Sequence, residues 1–313
     1  MDSVALRPAQ RPLLHLALLL LTLGTTFEVF LADQTSGVWN RTNILDGIAF
    51  SLSLVAILGS HEMGHWLLAR HHGVDASLPY FIPLPHLGFG TLGAVIRLRS
   101  RIPSRRALVD IGASGPLAGF VVAVGVLLWG YAHATLVDVP ASAAASFPPL
   151  ESLPGVLRVL LSKQPPTPVG QSFGDNLLTL LIQRLLVGPL PEGKDVLANP
   201  FIVAGWFGCL VTTLNLFPIG QLDGGHLTFA VLGRRAVGWG KLAAGGLLGL
   251  VLLFNASWLV WLLVTSLVVG FRHPEVERPE EPLDGLRLWL CLGCLLVFVL
   301  CLTPSPVRLL VAP

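Results

Sequence analysis

Charge is scarce in this chain: of 313 residues only 12% are Asp, Glu, Lys or Arg, against 53% hydrophobic. Soluble domains carry about twice that share of charge, so one large or two modest soluble domains are excluded. The formal net charge is only +2 and is scattered along the chain, which leaves no basic patch for a nucleic-acid partner. Cysteine is rare too. Cys209, Cys291, Cys294 and Cys301 all fall in apolar stretches. Cys291 and Cys294 have CxxC spacing, but no second CxxC accompanies them, and among Leu, Val and Phe they read as small packing residues rather than a redox or metal pair. An internal repeat is missing, which weakens an inverted-repeat transporter reading. No small-residue cleavage site clearly follows the first apolar run, so that run reads as a retained helix.

What the chain has instead is apolar runs long enough to cross a bilayer, at about 13–31, 45–70, 107–131, 200–219, 238–254, 257–271 and 286–303. They predict an all-α polytopic membrane protein embedded in a lipid bilayer, with about seven crossings. A single helix over 241–271 would run about 46 Å, beyond the ~30 Å hydrocarbon core. Trp258 and Trp261 beside Asn255-Ala256-Ser257 therefore suggest a short hairpin with an interfacial belt. Arg97, Arg99, Arg101, Arg105 and Arg106 follow the second run, and Arg234, Arg235 and Lys241 follow the fourth. With Arg7 and Arg11, they place the N-terminus and those two helix ends on the cytoplasmic side. The organisation expected is a first helix and outer loop (1–44), a unit with the second and third helices (45–131), an outer Pro/Ala-rich loop (132–199), a fourth helix and turn (200–235) and C-terminal helices (236–313). The outer loop reads as extended, partly disordered and without alternating strands, apart from one amphipathic helix at 176–186.

Within the second run stands GSHEMGHWLLARHH, residues 59–72. Ionisable side chains inside a membrane span are costly and mark function. On a helix, positions i and i+4 share a face, so His61 and His65 can present two imidazoles to one metal ion with Glu62 beside them as general base. His71 and His72 lie past Arg70, where the helix leaves the membrane, and read as surface residues. A catalytic zinc takes three protein ligands. NLFPIGQLDGGH, residues 215–226, offers Asp223 at the end of the fourth run, where Pro218 stops the helix and Gly220, Gly224 and Gly225 let the backbone turn. His226 is the alternative third ligand. The second and fourth runs point the same way, so their polar motifs finish on one side of the membrane.

HEMGH in one span and NLFPIGQLDGG in a later one resemble the site-2 protease family of intramembrane zinc metalloproteases. Further similar stretches are SLPYFIPLP at 77–85, GFGTLGAVI at 88–96 and DIGASGPLAG at 110–119, which resemble the branch holding bacterial and chloroplast EGY-type members. The likeness covers roughly residues 45–275; a PDZ domain, carried by the best-known branches, is not found in the sequence. It implies His61, His65 and Asp223 as ligands of one Zn2+, Glu62 as catalytic acid/base, and a transmembrane protein as substrate. It also implies that Asn215 holds substrate or its oxyanion; a helix-capping role for Asn215 stands beside that reading. A substrate helix must unwind before its carbonyls can be attacked. Residues 88–98 are expected to form a re-entrant strand or hairpin that pairs with it, with Gly93, Ala94 and Ile96 as contacts, a plain connecting loop being the alternative. Gly115-Pro116 reads as close packing and a kink. A transmembrane metal-ion transporter using the helical histidines is the rival function, but it leaves Glu62 and the LDG segment idle. The basic N-terminus points to a bacterial cytoplasmic membrane with the active site towards the cytoplasm. Substrate identity and oligomeric state are not encoded legibly.

Overall fold

The computed structural model describes residues 11–35, 39–138, 152–162 and 168–311. Its centre is three apolar helices: α2 (Arg41–His71), α3 (Arg105–Ala132) and α6 (Pro200–Leu216). Each begins where the sequence supplies a cap. The side chains of Asn40, Ser104 and Asn199 accept hydrogen bonds from backbone N–H groups of the first turn, and Pro200 takes the first position of α6, where a missing N–H costs nothing. The three helices approach closely because glycines face their neighbours. A Cβ at Gly64 would strike the backbone of Ser114, one at Gly205 the side chain of Leu127, and one at Gly208 that of Ile57. Around this core lie α1 (Pro12–Thr35), then α7 (Asp223–Leu232) and α8 (Ala236–Leu253) joined by one 3₁₀ turn, then α9 (Trp258–Leu263) continuing as a π turn over Val264–Val269, and α10 (Gly285–Cys301).

Four helical stretches are long and apolar enough to cross a membrane: Pro12–Ala32, Arg41–His71, Arg105–Ala132 and Asp223–Leu253. Shorter apolar helices cover Pro200–Leu216, Trp258–Val269 and Gly285–Cys301. Their outer faces carry exposed Leu21, Leu52, Val121, Leu242, Leu267 and Leu296, the surface expected of a protein solvated by hydrocarbon rather than water. The run expected at 238–254 is the second half of a longer stretch that starts at Asp223. The expected hairpin near 254–257 is present, as α8 ends at Leu253 and α9 starts at Trp258.

The fold is mostly rather than wholly helical: three two-stranded antiparallel sheets occur among the described residues. β1 (Tyr80–Pro83) and β2 (Thr91–Val95) form a hairpin with Tyr80 opposite Val95 and Phe81 opposite Ala94. It lies along α1. His15 Nδ1 meets the Pro79 carbonyl at 3.0 Å, and the Thr25 hydroxyl donates to the Gly90 carbonyl at 2.7 Å. Ten residues of α1 separate those two fastenings, about 15 Å of helix.

The expectation of an extended loop over 132–199 needs correction. Its described part holds β3 (Leu136–Asp138), α4 (Leu153–Leu161), β4 (Pro168–Phe173), α5 (Leu177–Leu186) and β5 (Lys194–Val196). β3 pairs with β5, while β4 pairs with β6 (Val307–Val311) near the C-terminus. Strands of three to six residues with partners this distant leave little local alternation to read. α5 falls where expected, with Asn176 and Thr179 forming a reciprocal capping box.

Candidate metal centre

His61 and His65 stand one turn apart on the buried face of α2, and Glu62 is buried beside them. The His65 ring is oriented from α3: its Nδ1 lies 2.7 Å from the Ile111 carbonyl, which can only accept, so Nδ1 carries the proton and the lone pair is at Nε2. Gly115 leaves the space this ring fills, since a Cβ there would overlap Nε2, Cδ2 and Cε1 of His65. Gly119 does the same for His61, with a Cβ position 3.1 Å from the His61 Cβ.

Asp223 arrives by a different local route from the one expected. α6 stops at Leu216, before Pro218, and Gly220 turns the chain at φ +54°. Asp223 is then the first residue of α7 rather than the last of the preceding span. The two glycines after it are not a loop signal. Gly224 packs on the Leu216 carbonyl and Gly225 on the Ile219 and Gly220 carbonyls, where a Cβ would collide with backbone. This seats a new helix N-terminus directly against the end of α6, and the dipole of that terminus favours a carboxylate.

Three donor atoms converge there. His61 Nε2 is 3.1 Å from His65 Nε2 and 3.2 Å from Asp223 Oδ2, and His65 Nε2 is 3.3 Å from Asp223 Oδ1. Ligands about 2.0–2.1 Å from a tetrahedral zinc sit about 3.3 Å apart, so the spacing of the three side chains fits such an ion. All lie in a group of potential metal ligands whose donor atoms are within 4.8 Å of one another. The two motifs, far apart in sequence, thus come together in space.

The remaining predicted residues separate. Asn215, in the last turn of α6, points Nδ2 at His61 Nε2 from 3.3 Å, and Ala94 and Ile96 line the same cavity of about 220 Å³ as His61, Glu62 and Asp223. Gly93 is buried in β2 but does not line that cavity. β2 has β1 on one side, and no strand occupies its other side among the described residues. His226 also lines the cavity, yet it falls outside the ligand group and its Nδ1 meets His273 Nε2 at 2.6 Å. Phe229 stacks on His273 with centroids 4.3 Å apart, and burial holds that imidazole below its ordinary value while the Pro274 carbonyl opposes the shift. His72 is less free than its sequence position implies. Its Nε2 is 2.9 Å from Asp110 Oδ2, and Asp110 also receives Arg287 from α10. The four cysteines are unpaired.

Gly115 was expected to be a close-packing position and is one, against the His65 ring; missed by sequence reasoning were the Ile111 carbonyl, the space at Gly119, and His273. A signal did exist for Gly119, because Gly115 and Gly119 form a small-xxx-small pair that brings helix faces together.

Paired imidazoles one helical turn from each other, a carboxylate from a broken helix and a second carboxylate in the same cavity are a donor set of the kind metallopeptidases use. Residues 49–254 match the family described as Peptidase family M50, and the chain belongs to that family. It is 31% identical over 255 residues to a protein of Oryza sativa subsp. indica named probable zinc metalloprotease EGY2, chloroplastic, covering 80% of this chain and 42% of the relative. The Arabidopsis thaliana protein of the same name is 29% identical over 277 residues, 88% of this chain and 44% of the relative. Another Arabidopsis thaliana protein, probable zinc metalloprotease EGY1, chloroplastic, is 29% identical over 267 residues, 79% of this chain and 44% of the relative. The chain thus spans less than half the length of these curated relatives. No solved structure matches. The relatives carry chloroplastic names, so they lend no support to the bacterial membrane expected from the basic N-terminus. The transporter alternative is not favoured by a peptidase family match.

Proposed function

We propose that this chain is a zinc endopeptidase that hydrolyses peptide bonds within or next to the membrane spans of other proteins. The observation that carries this reading is the meeting of His61, His65 and Asp223 at 3.1–3.3 Å with Glu62 in the same cavity. His61 and His65 through Nε2, and Asp223 through its carboxylate, would hold the ion. Zinc bound there supplies Lewis acidity and a nucleophile at neutral pH. Glu62 is the base that takes the proton of the attacking water and returns it to the departing amine. Asn215 is placed to hold a carbonyl oxygen as charge develops on it. The free side of β2, with Ala94 at the cavity, suits an extended substrate strand that pairs by main-chain hydrogen bonds.

In this reading the β1–β2 hairpin is re-entrant, lying against α1 within the membrane. The shorter apolar helices α6, α9 and α10 join the four long stretches to make seven crossings. The arginines after α2 keep the metal centre towards the cytoplasmic side. The test is Glu62→Gln in purified protein, with peptide hydrolysis and bound zinc measured on one preparation. Zinc near one per chain with hydrolysis lost is expected. Cleavage at the unmodified rate removes Glu62 from the mechanism.

A further inference from the structure

A second and larger cavity, about 580 Å³, lies at the other end of the bundle. Phe50 of α2 and Val203 of α6 line it. They sit 11 and 12 residues before His61 and Asn215, about 17 Å along each helix. Its floor is aromatic: Phe89 at the tip of the β1–β2 hairpin packs on Phe207 at 4.2 Å, and Phe173 on Trp206 at 4.7 Å. Its walls come from both outer sheets, through Val137 and Val196 of the β3–β5 pair and Ser172 and Val307 of the β4–β6 pair. Each pair has only two strands among the described residues, so both have outer edges to which a further strand could add, although the Val307 carbonyl already accepts from Asn255 and the Val196 N–H already donates to Asp195. Asp175 and Asp195 share it with Arg308. Desolvation pushes the Asp175 carboxyl above its ordinary value while Arg308 opposes.

The hairpin links the two cavities. Phe89 lines the outer one, and Ala94 and Ile96 line the metal site. Phe89 stands in the turn before β2 (Thr91–Val95), and the separation of about 17 Å between the cavities corresponds to at least about five residues of an extended chain at about 3.3 Å each.

We propose that the outer cavity receives an extended polypeptide segment, the part of a membrane-protein substrate that flanks its span on the side away from the metal triad, with a basic residue set among apolar ones. This rests on the endopeptidase reading above. Aromatic and aliphatic lining takes the apolar side chains, strand edges take the backbone, and two carboxylates against one guanidinium favour a cation. The bond cut then lies at least about five residues from the seated segment, so the cavity sets a least distance to the cleavage position.

The test uses the full chain carrying Glu62→Gln, purified in detergent, with a fluorescent octapeptide that alternates apolar residues and lysine, read by anisotropy. Saturable binding is expected, at least tenfold weaker with Val137→Trp added, because Val137 is on the open wall where a larger side chain fills the cavity. The matching glutamate peptide should bind at least threefold more weakly than the lysine peptide, and Asp175→Asn should narrow that gap. Unchanged melting and zinc content in Val137→Trp establish that the cavity alone was altered; if that variant misfolds, the Asp175→Asn comparison decides. Absence of saturable binding, equal affinity in a folded Val137→Trp protein, or no change in charge preference with Asp175→Asn overturns the proposal. So does a spin-labelled phospholipid, immobilised in place of the peptide and released by Val137→Trp. The peptide measurement needs no turnover, so an endopeptidase reading that fails through an active Glu62→Gln enzyme is distinguished from an empty cavity.

Discussion

Gly115→Ala tests the metal centre without touching a ligand. The added Cβ would lie well inside van der Waals distance of three atoms of the His65 ring, whereas carbon atoms rest about 3.5–4.0 Å apart. The ring must therefore retreat by about 1 Å or more. Its escape is restricted, because Nδ1 is tied to Ile111 and Gly64 lies on the Ser114 backbone. Zinc–ligand distances hold within about 0.2 Å, so a shift of this size removes His65 as a ligand or parts α2 from α3. Disturbing a group that merely orients a ligand costs about 10–100-fold in metal affinity. Displacing the ligand should cost at least about 100-fold, equivalent to about 2.8 kcal/mol at 1.4 kcal/mol per tenfold. Gly119→Ala supplies a graded comparison: its Cβ would sit 3.1 Å from the His61 Cβ and 3.3 Å from Nδ1. A retreat of a few tenths of an ångström should cost no more than about tenfold. Gly125→Ala has nothing within 4 Å of its Cβ and serves as the control. Zinc occupancy by mass spectrometry against increasing chelator, with thermal melting in the same detergent, measures all three. If Gly115→Ala holds zinc as firmly as the unmodified protein, the packing account of the site is wrong.

Asp223→Ala should lose bound zinc while the helices persist by circular dichroism; undiminished zinc at one per chain would transfer the third ligand role elsewhere, with His226 first in line. Asn215→Ala should keep its zinc and lower kcat by about 10²–10³-fold with little change in KM; a fall confined to KM would assign Asn215 to substrate binding alone. Gly90→Ala forces a side chain into the backbone of Thr25 and Thr26 at φ +80°. It should lower stability by about 1–3 kcal/mol and slow cleavage of membrane-spanning substrates more than that of short soluble peptides, measured side by side. Asn255→Ala removes the buried amide that donates to the Val307 carbonyl at 2.7 Å and should cost about 1–3 kcal/mol, read as a lower melting temperature with zinc content unchanged.

The metal centre was legible because its chemistry is improbable where it stands. Histidines one turn apart in an apolar run have few reasons to be there, and an aspartate after a proline break supplies the missing donor. The local backbone around Asp223 was harder. Two consecutive glycines are poor helix formers, and only their contact with the carbonyls of Leu216, Ile219 and Gly220 shows why a helix starts there. The Ile111 carbonyl and the hollow at Gly119 depend on how α3 is rotated against α2, which periodicity leaves undetermined. The outer strands were illegible for a different reason: β4 finds its partner more than 130 residues later, in β6, and nothing within a short window encodes such a pairing.

The hairpin is fastened to α1 at Pro79 and again at Gly90, so the two are mechanically one piece. The same helix is tied to α2 through the hydrogen bond between Thr26 and Ser51, so any displacement of α1 in the surrounding lipid would be felt both at the vacant rim of β2 and along the helix that bears His61 and His65.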